Sequence, residues 1–198
     1  MTTELPELLV GDAAEWRAWL ERCHDDHEGV WLVLHKKGGT TTTLTYDQAL
    51  DEALCVGWVD GQKGTRDEHS YRTRFTPRRP RSAWSARNVG HVSRLITSRR
   101  MRPAGLAAVA AAKADGRWDA AYQGQATAQV PPDLAASLAT NPAAKATFDQ
   151  LTSANRFAII YRLNAVKRAE TRSRKLAQFV EMLARGEVLH PQRQASGR

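Results

Sequence analysis

The 198-residue sequence predicts an α+β fold: a small, mainly antiparallel sheet with helices in the N-terminal part, then a helix-rich C-terminal part. Three observations predict it. VWLVLHKK, 30–37, is short, rich in β-branched and aromatic residues and bounded by glycines, which is the signature of a strand. SYRTRFT, 70–76, alternates Tyr71, Thr73 and Phe75 with Arg72, Arg74 and Thr76, the pattern of a half-buried antiparallel strand. Beyond Ser82 the strand patterns cease and helix start and stop signals take over.

Residues 12–27 read as an amphipathic helix. Asp12 is the cap, and Trp16, Trp19, Leu20 and Cys23 recur at helical spacing. Thr45 opens a second helix with Gln48 three residues on, a capping box. Tyr46, Ala49, Leu50, Ala53, Leu54 and Val56 form its apolar stripe, and Gly57 stops it. Residues 58–63 form a further strand, and TRDEH, 65–69, turns between it and 70–76. PRRPR, 77–81, cannot continue a central strand because proline donates no ladder hydrogen bond. Helices follow over about 85–99, 103–114, 132–139, 142–151, 153–166 and 168–185, with Leu176, Phe179, Val180 and Leu183 as the buried stripe of the last. The domain reading is a 1–81 α+β layer, an 82–187 helical part packed on it as one compact unit, and a flexible tail, 188–198.

No apolar run approaches the roughly 20 residues that span a bilayer. MTTELPELLVGDAAEW lacks a basic start and an apolar core, so no secretory signal is read there. Cys23 and Cys55 both fall in helical segments, as expected of reduced thiols in a cytoplasmic protein. The net charge of +8 is local: residues 62–102 carry twelve Lys and Arg against Asp67 and Glu68, so the remainder sums to −2. Arginine forks suit carboxylates and phosphates, so an anionic partner is expected, with a solvated basic face as the plainer alternative.

Catalytic signatures are sparse, and the catalytic residues stay unknown. There is no nucleophile elbow, no Ser-x-x-Lys arrangement and no Gly-rich phosphate loop. Cys23 and His27 share a helix face, but no second ligand pair follows, so no metal and no cofactor is read. Ser82 and Ser85 fit as helix-entry caps. In KRAETRSRK, 167–175, Glu170 and Arg174 are placed to pair four residues apart.

Four strings carry a resemblance: LTYDQALDEALCVGWVDG (44–61), FTPRRPRSAWSARN (75–88), MRPAGLAAVAAAKADGRW (101–118) and AVKRAETRSRKL (165–176). In order and spacing they resemble the YdeI/OmpD-associated family, the bacteriocin-protection proteins, from about residue 10 to 187. The resemblance implies a role in stress and antimicrobial-peptide resistance. It supplies no chemical role for any residue. Its motif positions include Gly57, Trp58, Asp60, Gly61, Arg78, Ser82, Trp84, Ser85, Asn88, Glu170, Thr171 and Arg172.

From these residues a candidate cleft is assembled. Trp58, Asp60, Arg78, Ser82, Trp84, Asn88, Glu170 and Arg172 are expected to meet, with Arg78 and Arg172 around Asp60. Apolar walls with convergent polar groups are where small ligands bind. A network that clamps the structure would use the same residues. The leading expectation is a cytoplasmic binding protein that holds a small anionic ligand or a protein partner segment. An enzyme with Asp60 or Glu170 as acid/base is the second, and nucleic-acid binding through 62–102 the third.

Overall fold

The computed structural model describes residues 4–125 and 127–192. Contacts divide the chain into two compact units, one up to Ala121 and one from Tyr122. The sequence suggested a boundary at 81/82 within one compact unit; the division falls about forty residues later, because two helices after Ser82 belong to the sheet-bearing unit.

The first unit is α+β, as the strand patterns predict. Its four-stranded sheet has the order β1-β2-β4-β3, from β1 (Glu7–Leu8), β2 (Val30–His35), β3 (Trp58–Thr65) and β4 (Ser70–Pro77). Only the two-residue β1 is parallel to its neighbour, and it is too short to carry a sequence pattern. β2 and β3 both pair antiparallel with β4, which ends at Pro77. A register shift between Asp60 and Lys63 bulges β3 and re-aims its side chains. Thr73 and Phe75 are fully buried on one face of β4. On the other face the Arg72 guanidinium lies over the Trp31 ring, 4.9 Å from its centre.

Local capping sets the helices. Asp12 accepts from the amides of Ala14 and Glu15 and starts α1 (Ala13–Cys23). Thr45 and Gln48 form the expected capping box of α2 (Tyr46–Cys55). Ser85, not Ser82, caps α3 (Ala86–Thr97) by accepting from the Asn88 amide. Pro103 opens α4 (Pro103–Ala114). Helix α2 packs against α1, α3, α4 and β3. Every residue from Ala49 to Cys55 is therefore buried, including Asp51 and Glu52. The core of this unit runs through Trp16, Leu32, Leu50, Leu54, Trp58, Phe75, Val92 and Leu95.

The second unit is helical: α5 (Pro132–Ala139), α6 (Pro142–Asp149), α7 (Ser153–Asn164) and α8 (Ala169–Ala184). Leu134, Phe148, Ile159, Leu163, Phe179 and Leu183 form its core, which includes half of the expected α8 stripe; Leu176 and Val180 flank it. Residues 188–192, read from sequence as the start of a flexible tail, are instead tied to α7. Buried Asn155 donates to the His190 carbonyl at 3.0 Å and to the Gln192 side chain at 2.8 Å, and accepts from the His190 amide. The rest of that expected tail, from 193, lies outside the described residues. Among the described residues no helix is long and apolar enough to cross a membrane.

Candidate functional site

The residues singled out from sequence go to several places. Trp58 is spent in the core: its indole N–H donates to the His24 carbonyl at 3.0 Å, and its ring meets the edges of Trp16 and Trp19. Asp60 accepts a 2.6 Å hydrogen bond from the Tyr46 hydroxyl, and among the described residues no cation pairs with it. The arginine expected beside Asp60 is thus replaced by a phenol from the first turn of α2. Burial, then the bond to the Asp60 carboxylate, pushes the Tyr46 hydroxyl well above the ordinary tyrosine range.

Three of the others do gather. The Arg78 guanidinium stacks on Trp84 at 3.8 Å and donates to the Ala83 carbonyl. Trp84 contacts Trp118, and the Ser82 carbonyl accepts from Arg117 at 3.0 Å. Asn88 is buried in the first turn of α3. Glu170 and Arg172 belong to the second unit. There Arg172 forks onto Asp133 at 2.6 and 3.0 Å and donates to the Leu163 carbonyl. Glu170 is exposed and makes no ion pair with Arg174 among the described residues. The eight residues therefore do not share Asp60 as a common centre. Arg172 is committed to Asp133, and Asp60 to Tyr46.

The strongest constellation was not singled out from sequence. It surrounds the two buried acids of α2. Asp51 accepts from Arg94 at 2.7 and 2.8 Å and contacts His91 Nδ1 at 2.8 Å. Burial raises the Asp51 pKa, but the hydrogen bonds from Arg94 and His91 outweigh it and hold the carboxyl below its usual range. Glu52, 4% exposed, is forked by Arg17 at 2.6 and 2.8 Å from α1 and bound by Arg100 at 2.5 Å. Arg102 binds Glu21, and its amide donates to the Cys55 carbonyl.

These groups line a cavity of about 330 Å³ formed by Arg17, Leu20, Glu21, Glu52, Cys55, Val56, Arg99, Arg100 and Arg102. Arg99 is the exception among its arginines. It is exposed and, among the described residues, its side chain makes no hydrogen bond or ion pair. Its φ of 56° is left-handed, the single non-glycine instance among the described residues. The amides of Arg99 and Arg100 close onto the carbonyls of Ile96 and Leu95, a helix-ending turn whose left-handed position usually holds glycine. Burial pushes the Cys55 thiol up to about 11, so it lines the wall as a neutral group.

Pairing also redraws the basic segment. Arg66, Arg72, Arg87, Arg94, Arg100 and Arg102 all face carboxylates. Arg74, Arg79, Arg81 and Arg99 have no such partner among the described residues. A sequence signal for this existed: α2 combines a wide apolar face with two adjacent acids, and an arginine-dense segment follows. Neither feature names which arginine meets which acid across 35 to 48 residues. Among the described residues no group of three or more His, Cys, Asp or Glu could hold a metal.

Comparison with known families separates the two units. Residues 8–108 match the family described as Domain of unknown function (DUF8412). Residues 127–186 match the family described as Bacteriocin-protection, YdeI or OmpD-Associated. The resemblance read over 10–187 is thus confined, as a family match, to the second unit. It retains the string at 165–176, whereas those at 44–61 and 75–88 fall within the first match. Neither the curated proteins nor the solved structures compared with the chain gave a match. The chain therefore belongs to the family described as Domain of unknown function (DUF8412), which covers just over half of it, while residues 127–186 are similar to the bacteriocin-protection, YdeI or OmpD-associated family.

Proposed function

We propose that the protein binds a small anionic ligand in the arginine-lined cavity beside Glu52, and acts in the cytoplasm in stress and antimicrobial-peptide resistance. The family of the second unit supports the resistance part of this reading. The binding half rests on Arg99. An uncommitted guanidinium stands at the rim of a cavity whose other arginines are already fixed by Glu21 and Glu52. It is kept in a left-handed conformation that costs a non-glycine residue about 1 kcal/mol. The helix-ending turn accounts for this conformation by itself, so the strain supports the reading only together with the free guanidinium.

The alternatives have less support. Asp60 is engaged by Tyr46, and Glu170 stands exposed and, among the described residues, makes no side-chain hydrogen bond or ion pair, so neither is set up as an acid/base pair. Internal pairing of six arginines reduces the basic surface left for nucleic acid. The test is Arg99→Gly. Glycine relieves the left-handed turn, so stability should hold or rise. The stabilisation that a panel of small anions gives the wild-type thermal midpoint should disappear. If Arg99→Gly keeps that stabilisation, or no anion gives any to the wild type, the reading fails.

A further inference from the structure

We infer that the ligand of this cavity is the phosphate monoester of a small apolar group. The inference rests on the anion reading above and specifies its chemistry. Three observations carry it.

The first is charge. Arg17, Arg99, Arg100 and Arg102 face Glu21 and Glu52, so the lining holds two positive charges in excess. A phosphate monoester carries about −1.5 to −2 at pH 7 and neutralises them; a carboxylate or sulfate ester, with one charge, leaves about half of the excess uncompensated.

The second is donor geometry. Arg17 spends Nε and Nη2 on Glu52, and Arg102 spends Nε and Nη2 on Glu21. The Nη1 group of each makes no hydrogen bond among the described residues, and Arg99 keeps its whole fork. Glu52 and Glu21 fix the guanidinium planes, so their remaining donors stand ready for a group with three acceptor oxygens. A planar carboxylate offers two.

The third is the rest of the wall. Leu20, Val56 and the neutral Cys55 thiol are apolar, and 330 Å³ is several times the space a bare phosphate fills. An apolar substituent on the ester oxygen would occupy the remainder, against the floor formed by the nearly buried Leu20, Cys55 and Val56.

The experiment is isothermal titration of the full chain with phenyl phosphate, phenyl sulfate, inorganic phosphate and benzoate. Phenyl phosphate should bind about tenfold or more tightly than phenyl sulfate, which has nearly the same shape and half the charge. Inorganic phosphate, without the apolar group, and benzoate, without the third oxygen, should also bind more weakly. Arg99→Gly should lose at least about tenfold for phenyl phosphate with its thermal midpoint kept or raised. Phenyl sulfate or benzoate equal to phenyl phosphate overturns the monoester while leaving the anion reading standing. No binding by any of the four overturns both. Phenyl phosphate affinity unchanged in Arg99→Gly overturns the placement.

Discussion

Glu52 in the first unit and Asp133 in the second each meet an arginine fork, and they differ in what surrounds the pair. Glu52 is 4% exposed and is held by two guanidiniums from different elements. Asp133 is 37% exposed and, among the described residues, has Arg172 as its one cationic partner. The first carboxylate has no water to fall back on, so its partners are obligatory. The second has water on one side, and its arginine also bonds the Leu163 carbonyl. The same chemical pair is thus a structural requirement in one unit and an accessory in the other. Burial decides which.

Glu52→Ala should show the largest effect. Removing it leaves Arg17 and Arg100 facing each other across an empty site. We expect a loss of about 3 kcal/mol, the lower end for a buried pair broken from one side, because both arginines stay partly solvated. All six tryptophans lie between 16 and 118, so tryptophan fluorescence in a urea titration reports this unit directly. A loss below about 1 kcal/mol would place Glu52 with the surface pairs and erase the contrast.

An alkaline titration sharpens the same point one turn further along α2. Burial, then the nearby Glu52 charge, raises Cys55 from 9.0 to about 11. The folded-state value lies above the unfolded one. Its contribution is therefore complete below about pH 9 and lost as pH rises through 11. Two pKa units correspond to roughly 2 to 3 kcal/mol. Tyr46, also raised, adds to the decline above its ordinary value near 10. Cys55→Ala should flatten the onset of the decline and leave the tyrosine part. If wild type and Cys55→Ala lose stability in parallel between pH 8 and 10, the thiol is not buried as described.

What sequence made legible follows from distance along the chain. Asp12, Thr45 with Gln48, and Ser85 act within three residues, and all cap as their spacing implies. The alternation in β4 needs only its own pleat. Asp51 and Glu52 were missed because an acid in an amphipathic helix normally faces water. Here α2 is covered on every side by α1, α3, α4 and β3, so its polar side is interior too. Nothing local encodes that. Tyr46 was read as part of an apolar stripe, correctly, while its hydroxyl reached Asp60 across the start of β3. The link to Arg172 failed for a related reason: an acid at the first turn of α5, Asp133, takes its guanidinium instead.

Asp60→Ala tests the corrected partnership. An arginine left buried without its carboxylate would cost about 3 to 5 kcal/mol. A half-buried tyrosine hydroxyl that loses its acceptor costs about 1 to 2 kcal/mol, and can turn toward water. We expect the smaller loss in the tryptophan-detected transition. Tyr46→Phe should lose no more than Asp60→Ala, because it removes the donor and leaves a carboxylate that is itself partly solvated. A loss in Asp60→Ala at the arginine level would mean that a cation shares this carboxylate after all.

Asp133→Ala should show the smallest effect. Hydrogen bonding from Arg172 holds the Asp133 carboxyl below its usual range against a smaller burial effect. The folded-state pKa is depressed, so this contribution is present above about pH 4 and fades as pH falls further. Solvent screening keeps it small at neutral pH, at no more than about 1 kcal/mol. Part of that is the favourable place of an acid in the first turn of α5, worth a few tenths of a kcal/mol, and not the ion pair at all. No tryptophan lies beyond 118, so far-UV ellipticity is the measurement for this helical unit. Asp133→Asn separates the two contributions: it removes the charge from both the helix start and the pair while keeping an acceptor for Arg172. If Asp133→Asn loses as much as Asp133→Ala, charge carries the effect; if it loses nothing, the hydrogen bonds do. A loss of 3 kcal/mol or more in either would mean that partial exposure does not spare a pair from the demands that Glu52 faces, and the comparison between the two units would collapse.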